Sequence, residues 1–454
     1  MFQSINPVNG QIIAEYSAHT PGEAEAIVMK THQAWLHWKN TPFDHRATLL
    51  QRAASILRER KDDLSHMMVL EMGKPIKQAL AETEKCATAC LYYADHGAQF
   101  LAPEPIVTES NKSYIAYNPL GVVLAVMPWN FPLWQVFRFA APALMAGNAA
   151  LLKHASNVMG SAMAIEEIFR EAGFPEDLFR TLRIAGSKVE PLIRNPLVKA
   201  VTLTGSVGAG SAVARVAGEE IKKTVLELGG SDPYLILEDA DLEQAATICA
   251  TSRMINNGQS CIAAKRFIVV EKVYEPFLEL FTQKMKQKKM GDPLNINTEL
   301  GPMAQVSLRD ELHEQVTQSI DKGARCIIGG EIPEQPGSWY PATVLADVKP
   351  GMPAYHDELF GPVASVIKAR DQQDAIDIAN DSVFGLGAAV FTRDLAKGEQ
   401  IAREQLNAGC CFVNDFVKSD PRLPFGGIGH SGYGRELSYL GIREFTNIKT
   451  VVVA

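Results

Sequence analysis

Four short segments carry residue types that could do chemistry together. In Asn256–Cys261, NNGQSC, a turn of small residues and glycine presents one thiol. A thiol on a turn can be approached, whereas free cysteines in general are buried and structural. In Leu226–Gly230, LELGG, Glu227 ends a strand-like run with two glycines directly after it. An acid placed there faces the crevice in which α/β sheets bind ligands; a solvated loop carboxylate is the plainer reading. In Met127–Pro132, MPWNFP, two prolines fix the backbone on either side of Asn130. A side-chain amide held rigidly suits an oxyanion site, and an ordinary turn asparagine is the alternative. In Thr204–Gly210, TGSVGAG, Gly205 and Ser206 fall between a strand-like run and a helical one, where helix N-terminal amides suit phosphate. The order GxGxxG is missing, so these glycines equally mark a tight turn.

Such residues need a scaffold that brings them together. From about Pro21 to Phe100 apolar residues recur at three- and four-residue spacing, among them Leu49, Leu50, Ala53, Ile56, Leu57 and Leu64, which predicts an α-rich opening. Strand-like and helical runs then take turns: GVVLAVMP, a helix around 136–145, AALLKHA, a helix over 161–172, KAVTLTGS, a helix over 210–217, and KTVLELGG. That alternation predicts a parallel sheet covered on both faces, a doubly wound nucleotide-binding domain over 1–101 and 120–229. A second series, DPYLILED, RFIVVEKVY, VASVIKARD, GLGAAVFT and CCFVND, with helices over 242–256 and 274–288, predicts a second α/β domain over 230–435. The segments 102–119 and 440–454 fit neither unit and read as lone strands that pair with each other or with another subunit.

The bulk properties exclude several classes. A chain of 454 residues with 46% hydrophobic and 21% charged residues has material for two or three packed domains and shows no tract suggesting disorder. A formal net charge of -8 gives no electrostatic reason to bind nucleic acid or anionic lipid. Seven cysteines without CxxC spacing argue against a disulfide framework and for a reducing compartment. With no signal-like N-terminus and no apolar run of about 18 residues, a cytoplasmic protein away from membranes is expected. The ten histidines form no metal-binding pattern, so no metal is expected.

Taken together, the four segments resemble the aldehyde dehydrogenase superfamily. The resemblance runs almost end to end, through NPVNGQII, PWNFP, LLKHAS, LTGS, LELGG, GQSC, ELFGP, PFGGIGHSGYGRE and IKTVVV in the family's order. It implies Cys261 as nucleophile, Glu227 as the base that activates water, and Asn130 with the Cys261 backbone amide as oxyanion site. The implied reaction passes through a thiohemiacetal and a thioester, with hydride transfer to a nicotinamide cofactor. The resemblance places Lys153 and Ser156 beside the adenosine ribose, Gly205 and Ser206 near the pyrophosphate, and Glu358 on the nicotinamide ribose. Trp129, Leu228 and Phe360 fall on the cofactor side as well. Many NAD-preferring relatives carry glutamate where this chain has Ser156; a carboxylate there repels a 2′-phosphate and a serine does not, so NAD and also NADP are expected.

The resemblance also bears on substrate. Arg138 lies in an apolar helical stretch, VFRFAA, where the succinate semialdehyde dehydrogenases of the family carry an arginine that grips the substrate carboxylate. A structural ion pair is the alternative from the residues alone. Those enzymes often have a second arginine six residues before the nucleophile; here that residue is Ile255, and Lys418 and Ser419 are the candidates to replace it. Ala263 stands where some relatives have a cysteine that forms a regulatory disulfide. The expected activity is therefore oxidation of succinate semialdehyde, with glutarate semialdehyde or a broad range of aldehydes as alternatives and a non-catalytic relative as a remote one. The expected assembly is a homodimer or homotetramer.

Overall fold

The structure, a computed structural model, describes residues 1–454. The chain opens with an antiparallel hairpin, Phe2–Ile5 with Ile12–Tyr16, that the sequence reading does not include. Both strands are half-exposed and lack a continuous apolar run. The turn between them closes where Gly10 takes φ 77 and donates its N–H to the Asn6 carbonyl at 2.7 Å. Four helices follow, Pro21–Trp38, Phe43–Glu59, Lys61–Met72 and Ile76–Phe100, over the stretch expected to be helical.

The first sheet has six strands, ordered Gly432–Tyr433, Lys223–Glu227, Val198–Thr204, Val122–Val126, Ala149–Lys153 and Phe179–Thr181. All neighbours are parallel except the first, which returns from late in the chain to pair antiparallel with Leu226 and Glu227. Gly432–Tyr433 lies within the expected second domain, 230–435, and its pairing ties the end of that stretch to the first sheet. Two residues with alternate glycines leave no periodic signal by which a strand could be recognised.

The second sheet has seven strands, ordered Arg325–Ile328, Thr343–Ala346, Val363–Ala369, Arg266–Val270, Pro233–Ile236, Gly387–Phe391 and Cys410–Val413. Its central strands Pro233–Ile236, Arg266–Val270 and Gly387–Phe391 are buried throughout because both faces are covered. Side chains alternate between the faces: Leu235, Ile268 and Ile367 pack into one core, and Tyr234, Phe267 and Val366 into the other. Each such buried side chain contributes roughly 1.5–3 kcal/mol. The terminal strand Thr446–Val453 pairs antiparallel with Lys112–Pro119 over its whole length, and Glu104–Pro105 pairs with the same strand. The lone strands thus find each other within one chain. No helix is long and apolar enough to cross a membrane.

Candidate active site

The nucleophile's turn is built by residues that accept left-handed backbone. The helix Leu242–Met254 stops short of the expected residue 256, because Asn256 (φ 56) and Asn257 (φ 58) leave helical geometry and Gly258 follows at φ 74. Asparagine and glycine tolerate this region best. At Gly258 a Cβ would lie 2.2 Å from the Gly361 carbonyl oxygen, so only glycine fits. Both asparagines are latches. Asn257 Nδ2 donates to the carbonyls of Gly73 and Pro302, each at 2.9 Å, and Asn256 Nδ2 donates to the carbonyls of Asn130 at 2.6 Å and Gln259 at 3.0 Å. The turn carrying Cys261 is thereby locked to the MPWNFP loop.

That loop is held from its other side. His154 presents Nε2 to the Pro132 carbonyl at 2.8 Å, while its Nδ1 accepts from the Ala155 amide at 2.9 Å. This pattern requires the neutral ring with Nε2 protonated, and burial pushes the imidazole down to about 4, which keeps it neutral. Glu82 accepts from the amides of Leu133 and Trp134 at 2.9 Å each, capping the helix Trp134–Met145, and pairs with buried Lys74. A carboxylate is favourable at a helix N-terminus.

Asn130 is buried and gives one Nδ2 hydrogen to the Gln259 carbonyl at 3.1 Å, which leaves the other free. The backbone amide of Cys261 makes no hydrogen bond within the protein. Each expected oxyanion donor thus keeps one N–H free, and the two sit on loops latched together. Cys261 itself is half-buried, and burial pushes its thiol up to about 12 despite the attraction of Lys265 and Arg138. Lys265, which sequence reasoning missed, donates to the carbonyls of Ser260 at 2.8 Å and Cys261 at 2.7 Å. Its only signal in the sequence is a lysine four residues past the thiol.

Glu227 ends its strand sealed at 2% exposure with neither carboxyl oxygen hydrogen-bonded. A Cβ on Gly426 would come within 2.7 Å of Glu227 Oε1, so the glycines of PFGG leave room for the carboxyl. Burial raises its pKa well above the usual carboxylate range, and neighbouring Glu436 adds to the rise while Arg138 opposes it. The LELGG segment reaches the nucleophile's turn directly: a Cβ on Gly230 would lie 2.9 Å from the Cys261 carbonyl oxygen.

Arg138 forms a buried ion pair through Nε with Glu436, and its Nη2 donates to Thr204 Oγ1 at 3.3 Å. The guanidinium also lies over the Phe425 ring, 4.8 Å from its centroid. The ion pair that the residues alone left open is present, and Arg138 nonetheless lines the cavity onto which Cys261 opens. That cavity measures about 680 Å³ and includes Phe131, Trp134, Phe416 and Ser419. Glu436 was missed, although it lies in the quoted segment PFGGIGHSGYGRE. Lys418 is at the cavity rim with its charge tied to Asp415 at 2.6 Å, and Ser419 is buried.

The residues expected to hold the dinucleotide fit one. Lys153 ends its strand half-buried; burial alone lowers its pKa, with no carboxylate near enough to counter the shift. Ser156 is exposed just beyond it. Ser206 caps the helix Val207–Glu219, accepting from the Ala209 amide at 3.3 Å, and Gly208 has open space around it. Leu228 packs against Gly210, where a Cβ would be 2.6 Å from its side chain. Trp129 and Phe360 meet edge to face with ring centroids 5.8 Å apart. Glu358 pairs with Lys265 at 3.1 Å and accepts from the Gly230 amide at 3.1 Å, so the residue expected on the nicotinamide ribose is linked to the lysine behind Cys261.

Known proteins resemble this chain over nearly its whole length. The aldehyde dehydrogenase family matches residues 1–451. A succinate-semialdehyde dehydrogenase of Mycobacterium avium, named for NADP(+), is 47% identical over 452 residues, covering 99% of this chain and 96% of that one. A succinate semialdehyde dehydrogenase of Escherichia coli, named for NAD(P)+, is 46% identical over 448 residues, with 99% and 97% covered. Among solved structures, succinic semialdehyde dehydrogenase from Streptococcus pyogenes in complex with NADP+ superposes with a TM-score of 0.97 at 37% identity, covering 100% of both chains. With the family matched over residues 1–451, and the thiol turn latched to the Asn130 loop and touched by the segment that carries Glu227, the chain belongs to the aldehyde dehydrogenase family.

Proposed function

We propose that the protein oxidises succinate semialdehyde to succinate with NADP+, and also with NAD+, through a covalent intermediate on Cys261. The observation that carries the substrate is the cavity: a thiol, aromatic side chains, the Arg138 guanidinium and the Ser419 hydroxyl share one lining. A short aldehyde with a distal carboxylate matches that polarity. The names of the relatives at 46–47% identity support the same substrate. For the cofactor, an unpaired Lys153 beside Ser156, with no acid countering the lysine, supports acceptance of a 2′-phosphate.

The chain's own groups account for the steps. The Cys261 thiol gives its proton to water, the thiolate sulfur adds to the aldehyde carbon, and the oxygen that takes the carbonyl electron pair is held by the free Asn130 Nδ2 hydrogen and the Cys261 amide. Preoriented donors of this kind lower such barriers by a few kcal/mol, about 2.7–4 for one donor. A bound nicotinamide supplies the hydride acceptor. The resulting thioester is cleaved by water that Glu227 deprotonates, and a raised pKa makes that carboxylate a stronger base once ionised. Because Glu227 is held protonated by burial, its basic form grows as pH rises. The proposal includes a homo-oligomer built through the three-stranded sheet, whose terminal strand exposes Ile448, Val452 and Val453. A monomer mass by light scattering would remove that part.

The test is steady-state reduction of NADP+ and NAD+ with succinate semialdehyde, glutarate semialdehyde and butanal. The expected result is the highest kcat/KM for succinate semialdehyde with NADP+. Equal kcat/KM for butanal would contradict carboxylate recognition, and activity with NAD+ alone would contradict the cofactor reading.

A further inference from the structure

Lys85 is a cation without a counter-ion inside the substrate cavity. The helix Ile76–Phe100 presents it to the same lining as Cys261, Arg138 and Ser419. Its Nζ donates to Ser419 Oγ at 2.7 Å and stands 4.3 Å from the centroid of the Trp134 ring. Every nearby carboxylate is already committed. Glu82, on the same helix, holds Lys74 and the amides of Leu133 and Trp134; Asp420 holds Arg422 at 2.6 Å; Glu436 holds Arg138. The other lining cations differ: Lys288 pairs with Glu299 at 3.0 Å, Lys418 pairs with Asp415, and Lys77 is exposed at the rim.

One hydroxyl and the face of one ring stabilise a partly desolvated ammonium only in part, and an anion would satisfy it better. Burial, with repulsion from Arg138, pulls Lys85 down to about 8; Cys86, Glu82 and Asp420 offset this only in part. On this cavity Ile255 offers hydrocarbon alone. We propose that Lys85 is the residue that binds the distal carboxylate of the substrate, donating from Nζ with Ser419 Oγ beside it, and so sets the preference for ω-carboxy aldehydes. Arg138, its Nε given to Glu436, contributes charge at longer range. This inference rests on the proposed ω-carboxy aldehyde substrate.

The test measures kcat/KM for succinate semialdehyde and for butanal between pH 6 and about 10, in the wild type, Lys85→Met and Lys85→Arg. The ratio of the two values is the readout, because ionisation of the Cys261 thiol affects both substrates and cancels. Lys85→Met is expected to lower the ratio about 10–100-fold, chiefly through KM for the acid, as expected for one charge-assisted hydrogen bond; Lys85→Arg restores part of it. Lys85 is protonated below its pKa and neutral above it, so the wild-type ratio falls as pH rises through about 8, while the Lys85→Met ratio stays flat. A merely structural lysine would lower both substrates together and leave the ratio unchanged, which overturns the inference. If the wild type prefers succinate semialdehyde and Lys85→Met keeps that preference, the assignment of Lys85 fails alone. If the wild type shows no preference, the substrate reading fails and takes this inference with it.

Discussion

One guanidinium, that of Arg138, faces two buried acids. Glu436 is in contact with it, and Glu227 is near enough to feel its charge. Burial raises both carboxyls, and a single cation cannot stabilise two carboxylates out of water. The contact pair takes the charge and Glu227 stays protonated in the resting site. Arg138 therefore has a structural role beside any role in binding. Arg138→Ala should cost about 3–5 kcal/mol in unfolding free energy measured by urea denaturation, because it leaves Glu436 without its cation. Adding Glu436→Gln to that variant should recover part of the loss. A single variant within about 1 kcal/mol of the wild type would contradict the ion pair's importance. It follows that lost activity in Arg138→Ala cannot by itself be assigned to a lost substrate contact.

At the scale of elements, the thiol's position depends on a helix end that left-handed residues terminate. Gly258→Ala would force a Cβ to 2.2 Å from the Gly361 carbonyl in a backbone region that L-residues resist, so the turn must move. The expected outcome is at least a 100-fold loss of kcat/KM, by analogy with the cost of small misplacements at reacting centres, with a lowered Tm. Wild-type kinetics would show that the turn's geometry does not matter. The sequence made NNGQSC legible as a turn with a thiol, and the helix boundaries agree to within a few residues. It did not show why the turn stays put, since Asn256 and Asn257 reach carbonyls of Asn130, Gly73 and Pro302 that are 45–184 residues away. Such partners are invisible to local periodicity. Glu436, Lys265 and Lys85 escaped for the same reason: a charge becomes informative only once its neighbours are known to be apolar or already paired.

Across the whole molecule, the site exists only where two sheets meet. Asn130 follows one strand of the first sheet and Glu227 ends another, while Cys261 precedes Arg266–Val270 of the second. The alternation of strand and helix made both sheets readable, because parallel strands buried on two faces are continuous apolar runs. The opening hairpin and the returning strand Gly432–Tyr433 were not readable, being short and held by pairing rather than by burial. That return brings Gly426 against Glu227 and Glu436 against Arg138, so the last stretch of chain completes a site whose reacting groups lie elsewhere. The central claim is that the acyl group resides on Cys261 until Glu227 releases it. Its most direct test mixes the Glu227→Gln variant with succinate semialdehyde and NADP+, quenches in acid and maps the peptides by mass spectrometry. The account predicts one succinyl group per subunit on Cys261, formed with a stoichiometric burst of NADPH and little turnover afterwards. Ordinary turnover with Cys261 unmodified throughout would contradict it.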